Sequence, residues 1–451
     1  MDEKLQNPQL RGSAIPRTWR RRFSINVVLS LGTRMLMLVS SLATSVIIAR
    51  WLGAQGVGFL AVINICIALG IQLGCAGLPS TNVYLIAQDR SKLGGVWSNA
   101  LLFGVVAGSA IALLMIGIEK LRPSLFGEVP ASLIGIGALS IPFQLVTLLG
   151  VNVFLGLGRV DRFVLTDAVS QLLLLVNALV ALILLGSGLS TLVSFNTAAA
   201  ALVSVVVILT IWHALRTNNE SPLKLDAKLF RRMLRSGIKF HVPAVAGIII
   251  FRADLLLVNH FRGATEAGVY AVASQMGNLL MLLPAIIGTL LFPRVASEPD
   301  LTGGLTMRAT RHTAFVMLVL CLAAIPLSFV LPIVYGSAFK ESSLLLLILL
   351  PGVYLIGIES VMVQHFNGLG LPAAIPVFWL ITVFVNVTLN LVLIPSMGAI
   401  GAATVSTLTY SLIFVLVTAY FRHKTGNSLS KVLLLRGDEF RDLISANRLG
   451  S

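Results

Sequence analysis

From residue 24 to residue 421 the chain alternates apolar runs of about 20 residues with short polar joints. At 1.5 Å of rise per residue, each run as a helix crosses the roughly 30 Å hydrocarbon layer of a bilayer. Backbone polar groups in that layer must be satisfied inside the protein, which leaves helices or a closed barrel. Barrel strands would alternate in polarity over about ten residues, and these runs do not. The composition agrees: 57% of residues are hydrophobic, 11% are charged, and the mean hydropathy is +0.93, outside the range of soluble globular proteins. The expected fold is an all-α polytopic membrane protein with twelve transmembrane helices, at about 24–49, 58–86, 96–118, 131–156, 163–186, 191–215, 240–262, 268–292, 312–334, 343–365, 374–395 and 400–421. Cys66, Cys75 and Cys321 all lie within such runs, so they imply no disulfide framework and no metal site.

The basic residues orient the bundle. With the N-terminus inside, 26 of the 33 Lys and Arg fall in the tails and inner joints, five in outer joints, and Arg34 and Arg252 within spans. Positive charge collects on the cytoplasmic side, so both termini are expected there. The +15 net charge is then mostly topology and implies no nucleic-acid partner. The first 23 residues hold six basic residues and no cleavable apolar core, which reads as a tail and not a signal peptide. The expected divisions are a basic cytoplasmic tail (1–23), a six-helix half (24–215), a cytoplasmic linker (216–239), a second six-helix half (240–421) and a cytoplasmic tail (422–451). In the linker, Lys228, Arg231, Arg232 and Arg235 alternate with Leu229, Phe230, Met233, Leu234 and Ile238, the pattern of an amphipathic helix lying on the inner leaflet.

The two halves resemble each other. IIARWLGAQGVGFLAV follows the first span and LVNHFRGATEAGVYAV the seventh, matching Gly53 to Gly263 at an offset of 210. FLGLGRV and FNGLGLP match Gly156 to Gly368 and Gly158 to Gly370 at 212, and Asn177 matches Asn390 at 213. Six spans per half keep the repeats parallel, related by an axis along the membrane normal, with cargo expected in a central cavity between them.

Few ionisable residues lie within the spans: Arg34, Asp167, Arg252, Asp254 and Glu359. A charge at bilayer depth costs roughly 2.5–3.5 kcal/mol on insertion scales, so Arg252 and Asp254 in one span require a protein-lined or aqueous cavity. Two residues apart, they point about 200° apart on the helix and need separate partners. Arg34 lies about 15 Å and Arg252 about 18 Å from the inner ends of repeat-equivalent spans, so both are candidates to line one cavity. Two guanidiniums there suit an anion, most naturally a phosphate; pairing with Asp167, Asp254 or Glu359 is the other reading of the same residues. Arg50 and His260, at outer span ends, are candidates for the rim of the substrate site, though solvated helix ends look the same. Asp254, Glu359 and Asp167 are the candidate coupling groups, because cargo arrival can change a buried carboxyl's protonation; a permanent counter-ion to arginine would equally explain Asp254. No phosphate-binding G-x-x-x-x-G-K-[ST] loop occurs, and the longest outer joint, Glu119 to Pro130, is too short for a multi-loop catalytic site. An enzyme, such as a membrane glycan polymerase or ligase, is therefore not expected, and no cofactor is implied.

ARWLGAQGVGF, the Asp254 span with AGVYAVASQ, LLMLLPAIIGTLLFPRVA, YGSAF and LNLVLIPSMGAIGAATVSTLTYS, in that order, resemble the polysaccharide exporters and lipid-linked oligosaccharide flippases of O-antigen type, in the multidrug/oligosaccharidyl-lipid/polysaccharide (MOP) superfamily. The resemblance covers about residues 24–421. It implies a MATE-like bundle, alternating access, and a polyprenyl-pyrophosphate-linked glycan as cargo for surface lipopolysaccharide or exopolysaccharide. It also implies a proton or other ion as coupling partner and polysaccharide polymerase or assembly proteins as candidate partners. Two relatives are weighed against it. Lipid II flippases usually carry an Arg-Asp pair where this chain has Thr44 to Ile48, and have two further helices. Multidrug cation antiporters favour acidic cavities, whereas the first span offers Arg34 and no carboxylate.

Overall fold

A computed structural model describes residues 17–217, 224–297 and 302–427. Fourteen α-helices occur among them: α1 (Arg17–Gly74), α2 (Leu78–Gln88), α3 (Leu93–Leu121), α4 (Ala131–Ala138), α5 (Ile141–Gly156), α6 (Val160–Ala178), α7 (Leu189–Thr217), α8 (Ala227–Arg262), α9 (Ala264–Leu280), α10 (Leu282–Ser297), α11 (Gly304–Ser328), α12 (Leu331–Tyr335), α13 (Lys340–Gly368) and α14 (Ala374–Thr425). No strand is present among the described residues. Ten helical segments are long and apolar enough to cross a membrane, and two of them, Gly32–Gly74 and Ala374–Thr425, are broken by a glycine and long enough for two crossings each. The expected twelve crossings result. The first 16 residues and the tail beyond Asn427 lie outside the described residues.

The double crossings turn at glycine. Gly53 breaks α1 at φ 65° and Gly398 breaks α14 at φ 59°, in the region that costs an L-residue a Cβ clash and a glycine nothing. Positive φ recurs at repeat-equivalent glycines: Gly53 and Gly263 (65° and 86°), Gly158 and Gly370 (73° and 95°), Gly186 and Gly398 (56° and 59°). Resemblance between the halves thus extends to backbone conformation at three joints, those after the first, fourth and fifth spans of each half.

One buried cluster is shared by the halves, with Ile48, Ile63 and Ile134 from the first and Leu255, Tyr270 and Val353 from the second. Separate clusters fill each half, around Trp97, Leu149 and Phe154 in the first and Phe366, Ile413 and Phe421 in the second. A close approach of the halves joins Ala54 and Gly58 of α1 to Ala264 and Gly268 of α9. A Cβ on Gly58 would overlap the Ala264 carbonyl, and one on Gly268 would overlap the Ala54 carbonyl. Two small-xxx-small stretches, repeat-equivalent and facing each other, bring the backbones into contact. Toward the opposite end Gly77 and Gly237 meet in the same way.

The linker departs from its expectation. Residues 227–239 continue into the seventh span as one helix, α8, and most of the apolar face packs against protein, with Ile238 alone of its five apolar residues exposed. Met233 is fully buried, and Leu229 and Leu234 pack with it against the first half's cluster. Phe230 meets Phe103 of α3 with ring centroids 5.7 Å apart, and Asn99 exchanges hydrogen bonds with the Asp226 backbone (2.9 and 3.3 Å). Lys228, Arg231, Arg232 and Arg235 stay exposed. Met233→Ala should lower stability by about 2–5 kcal/mol, read as a lower melting temperature in detergent, whereas Arg232→Ala should leave it nearly unchanged.

Candidate functional site

Arg252 is half-buried and lines a cavity of about 480 Å³ between the halves. Ala68 of α1 supplies the first half's wall; Phe251, Asn278, Met281, Ser360 and Gln364, from α8, α9, α13 and the α9–α10 junction, are among those supplied by the second. No carboxylate lines this cavity among the described residues. The guanidinium therefore faces a space of hydroxyl, amide and apolar groups, an arrangement suited to an anion.

Asp254 lies on the other side of the same helix, as the two-residue spacing requires, and is 2% exposed. Its carboxylate accepts hydrogen bonds from the Tyr270 hydroxyl, the Ser406 hydroxyl (3.0 Å) and the Leu255 N–H (2.7 Å). It thereby joins α8 to α9 and α14. Arg252 acts on it only through space. Glu359 of α13 is 1% exposed and lines neither cavity; its Oε1 has no hydrogen-bond partner among the described residues. This candidate coupling group is closed off from both cavities.

A second cavity, of about 550 Å³, lies inside the first half between α1, α5, α6 and α7. Asp167 is exposed to it, and Arg34 acts on Asp167 through space. Arg34 does not line the Arg252 cavity. The two arginines are not brought to one cavity as the repeat had suggested, because the first half keeps a cavity of its own. Neither arginine makes a direct ion pair with Asp167, Asp254 or Glu359.

Arg50 and His260 line neither cavity. Arg50 donates from Nε to the Val334 carbonyl (2.7 Å) and from Nη2 to the Ile333 carbonyl, tying α1 to α12. His260 Nδ1 lies 2.8 Å from the Ser124 carbonyl oxygen, and Asn259 Nδ2 donates to the Phe126 carbonyl (2.9 Å). Both predicted rim residues instead hold the halves together at one end of the bundle. Carbonyls at helix ends offer such acceptors.

Sequence reasoning limited to ionisable residues missed the uncharged polar groups of both cavities: Asn278, Ser360 and Gln364 in one, Asn64, Gln144, Thr147 and Asn196 in the other. Amides in the middle of apolar runs were the available signal, because each needs a partner or water at bilayer depth. No cluster of His, Cys, Asp or Glu that could hold a metal occurs among the described residues.

The family described as polysaccharide biosynthesis protein matches residues 47–344, about two thirds of the chain. A probable low-salt glycan biosynthesis flippase, Agl15 of Haloferax volcanii, is 24% identical over 226 residues. That match covers 49% of this chain and 48% of the relative, so the chain spans about half the length of the curated relative it matches. Among solved structures, lipid II flippase MurJ in an inward closed conformation superposes with a TM-score of 0.74 at 16% identity, over 87% of each chain. An inward-facing MATE family multidrug transporter of the MOP superfamily superposes with a TM-score of 0.67 at 16% identity, over 88% of this chain and 98% of that one. At such identities the structural likeness shows the fold alone: a MATE-like helical bundle of the MOP type.

Proposed function

Because the chain belongs to the polysaccharide biosynthesis protein family, we propose that it is a flippase that moves polyprenyl-pyrophosphate-linked oligosaccharides across the bacterial inner membrane for surface polysaccharide assembly. The observation that carries this reading is Arg252, half-buried, free of ion pairs, and facing a cavity between the halves that no carboxylate lines. The pyrophosphate docks there while the polyprenyl tail stays in lipid. The halves rock about their shared core, exposing the cavity to one side and then the other. Both termini lie in the cytoplasm and the Arg50 end faces outward, following the distribution of basic residues. A cation antiporter would need acidic groups in this cavity, and none lines it among the described residues.

The test is deletion of the gene in the native cell, followed by extraction of lipid-linked saccharides and staining of surface glycan. Accumulated lipid-linked glycan with lost surface glycan supports the flippase. Intact surface glycan with new sensitivity to cationic dyes supports an antiporter.

Coupling to an ion gradient falls to Asp254, whose hydrogen bonds from α9 and α14 make its charge state a determinant of how α8 packs. Asp254→Asn should keep glycan-lipid binding within a few-fold while removing the dependence of transport on pH and imposed gradients. Transport by the variant that still follows an imposed gradient would take Asp254 out of this role.

A further inference from the structure

The cavity inside the first half has a chemistry unlike that around Arg252. Its polar wall is made of amides and hydroxyls, with Asp167 the one charged side chain among the lining residues. Much of that hydrogen-bonding capacity is unspent. Asn64 is exposed to it and has no partner among the described residues. Gln144 donates from Nε2 to Ser140 (2.9 Å), which leaves its Oε1 open. Asn196 accepts from Asn177 (3.0 Å) at Oδ1, which leaves its Nδ2 open. Donors and acceptors thus project together into one space, between isoleucine and leucine side chains. Sugars match such a lining, because each hydroxyl both donates and accepts and the ring's C–H faces are apolar. An inorganic anion does not match it, since no cation lines the cavity among the described residues. A volume of about 550 Å³ suits a drug-sized ligand, hence a short glycan and not a finished polymer.

Ala68 of α1 lines both this cavity and the Arg252 cavity. The two cavities therefore adjoin at Ala68, whose side chain is a single methyl. We propose that the first half's cavity is a binding site for neutral sugar residues, which receives the carrier-proximal end of the glycan while Arg252 holds the pyrophosphate on the other side of Ala68. This assignment rests on the flippase reading and adds to it where the sugars sit.

The experiment uses the full chain in nanodiscs and two probes: lipid-linked oligosaccharides extracted from the native cell, and polyprenyl pyrophosphate without sugar. Wild-type protein should bind the first more tightly than the second. Asn64→Leu combined with Gln144→Leu should weaken binding of the glycan-bearing lipid roughly tenfold, to the level of the bare lipid, and leave the bare lipid unchanged. Asn64→Leu alone, at an exposed lining position, should do the same to a smaller degree, and it serves if the double variant fails to fold. Arg252→Ala should weaken both probes. Cavity variants that bind both probes like wild type would overturn the sugar site and leave the flippase reading standing. Wild-type protein that binds neither probe would overturn both.

Discussion

Arg252→Ala is expected to abolish glycan export while leaving the fold intact. A guanidinium facing an anion supplies charge-assisted hydrogen bonds worth about 1.5–3 kcal/mol each, so losing it should weaken pyrophosphate binding roughly 10- to 150-fold. Stability should barely change, because Arg252 makes no ion pair that the substitution would break. Arg252→Lys should fall between: it keeps the charge and loses the planar fork that engages two oxygens at once. Complementation of a deletion strain reads the first effect, through accumulated lipid-linked saccharide, and melting in detergent reads the second. Full complementation by Arg252→Ala would remove the anion site from this cavity.

The second large effect belongs to Gly58. Any side chain there meets the Ala264 carbonyl, which is backbone and cannot rotate away. Gly58→Val should therefore force α1 and α9 apart and remove the closed arrangement at the Arg50 end. Ser45 of α1 donates to Gln275 of α9 across the same boundary (2.8 Å), so Ser45→Cys is a suitable reporter. In a cysteine-free background, its labelling by a membrane-impermeant maleimide from the Arg50 side should rise at least tenfold when Gly58→Val is added. Gly32→Val, at a glycine with open space around it, should not raise it. Transport should fall with Gly58→Val, since a flippase that cannot close one end cannot alternate.

The crossings were legible in the sequence because bilayer thickness fixes the length of each apolar run, and the repeat was legible because Gly53 and Gly263 sit where only glycine turns the chain cheaply. Separation of Arg252 from Asp254 followed from helical period alone. What covered each face did not follow. The Leu229–Met233–Leu234 stripe shows the same amphipathic pattern against a leaflet or against α3, and only the tertiary fold decides. Similarly, counting from the inner span ends puts Arg34 and Arg252 at comparable depths without saying that each half encloses space of its own. Asn64 and Gln144 were overlooked because an amide in a span is less costly than a charge and stands out less.

The continuity of α8 ties those observations to motion. Met233 is held in the first half's core, and Arg252 faces the cavity about 28 Å further along the same helix. Such a helix behaves as a lever with its fulcrum near Gly237, where it presses against Gly77. Tilting the first half must either bend α8 close to that contact or swing the guanidinium through the cavity. If α8 stays straight, Arg252 moves with the half that lies opposite most of its cavity, and displacement of a bound anion and reorientation of the halves become a single mechanical event.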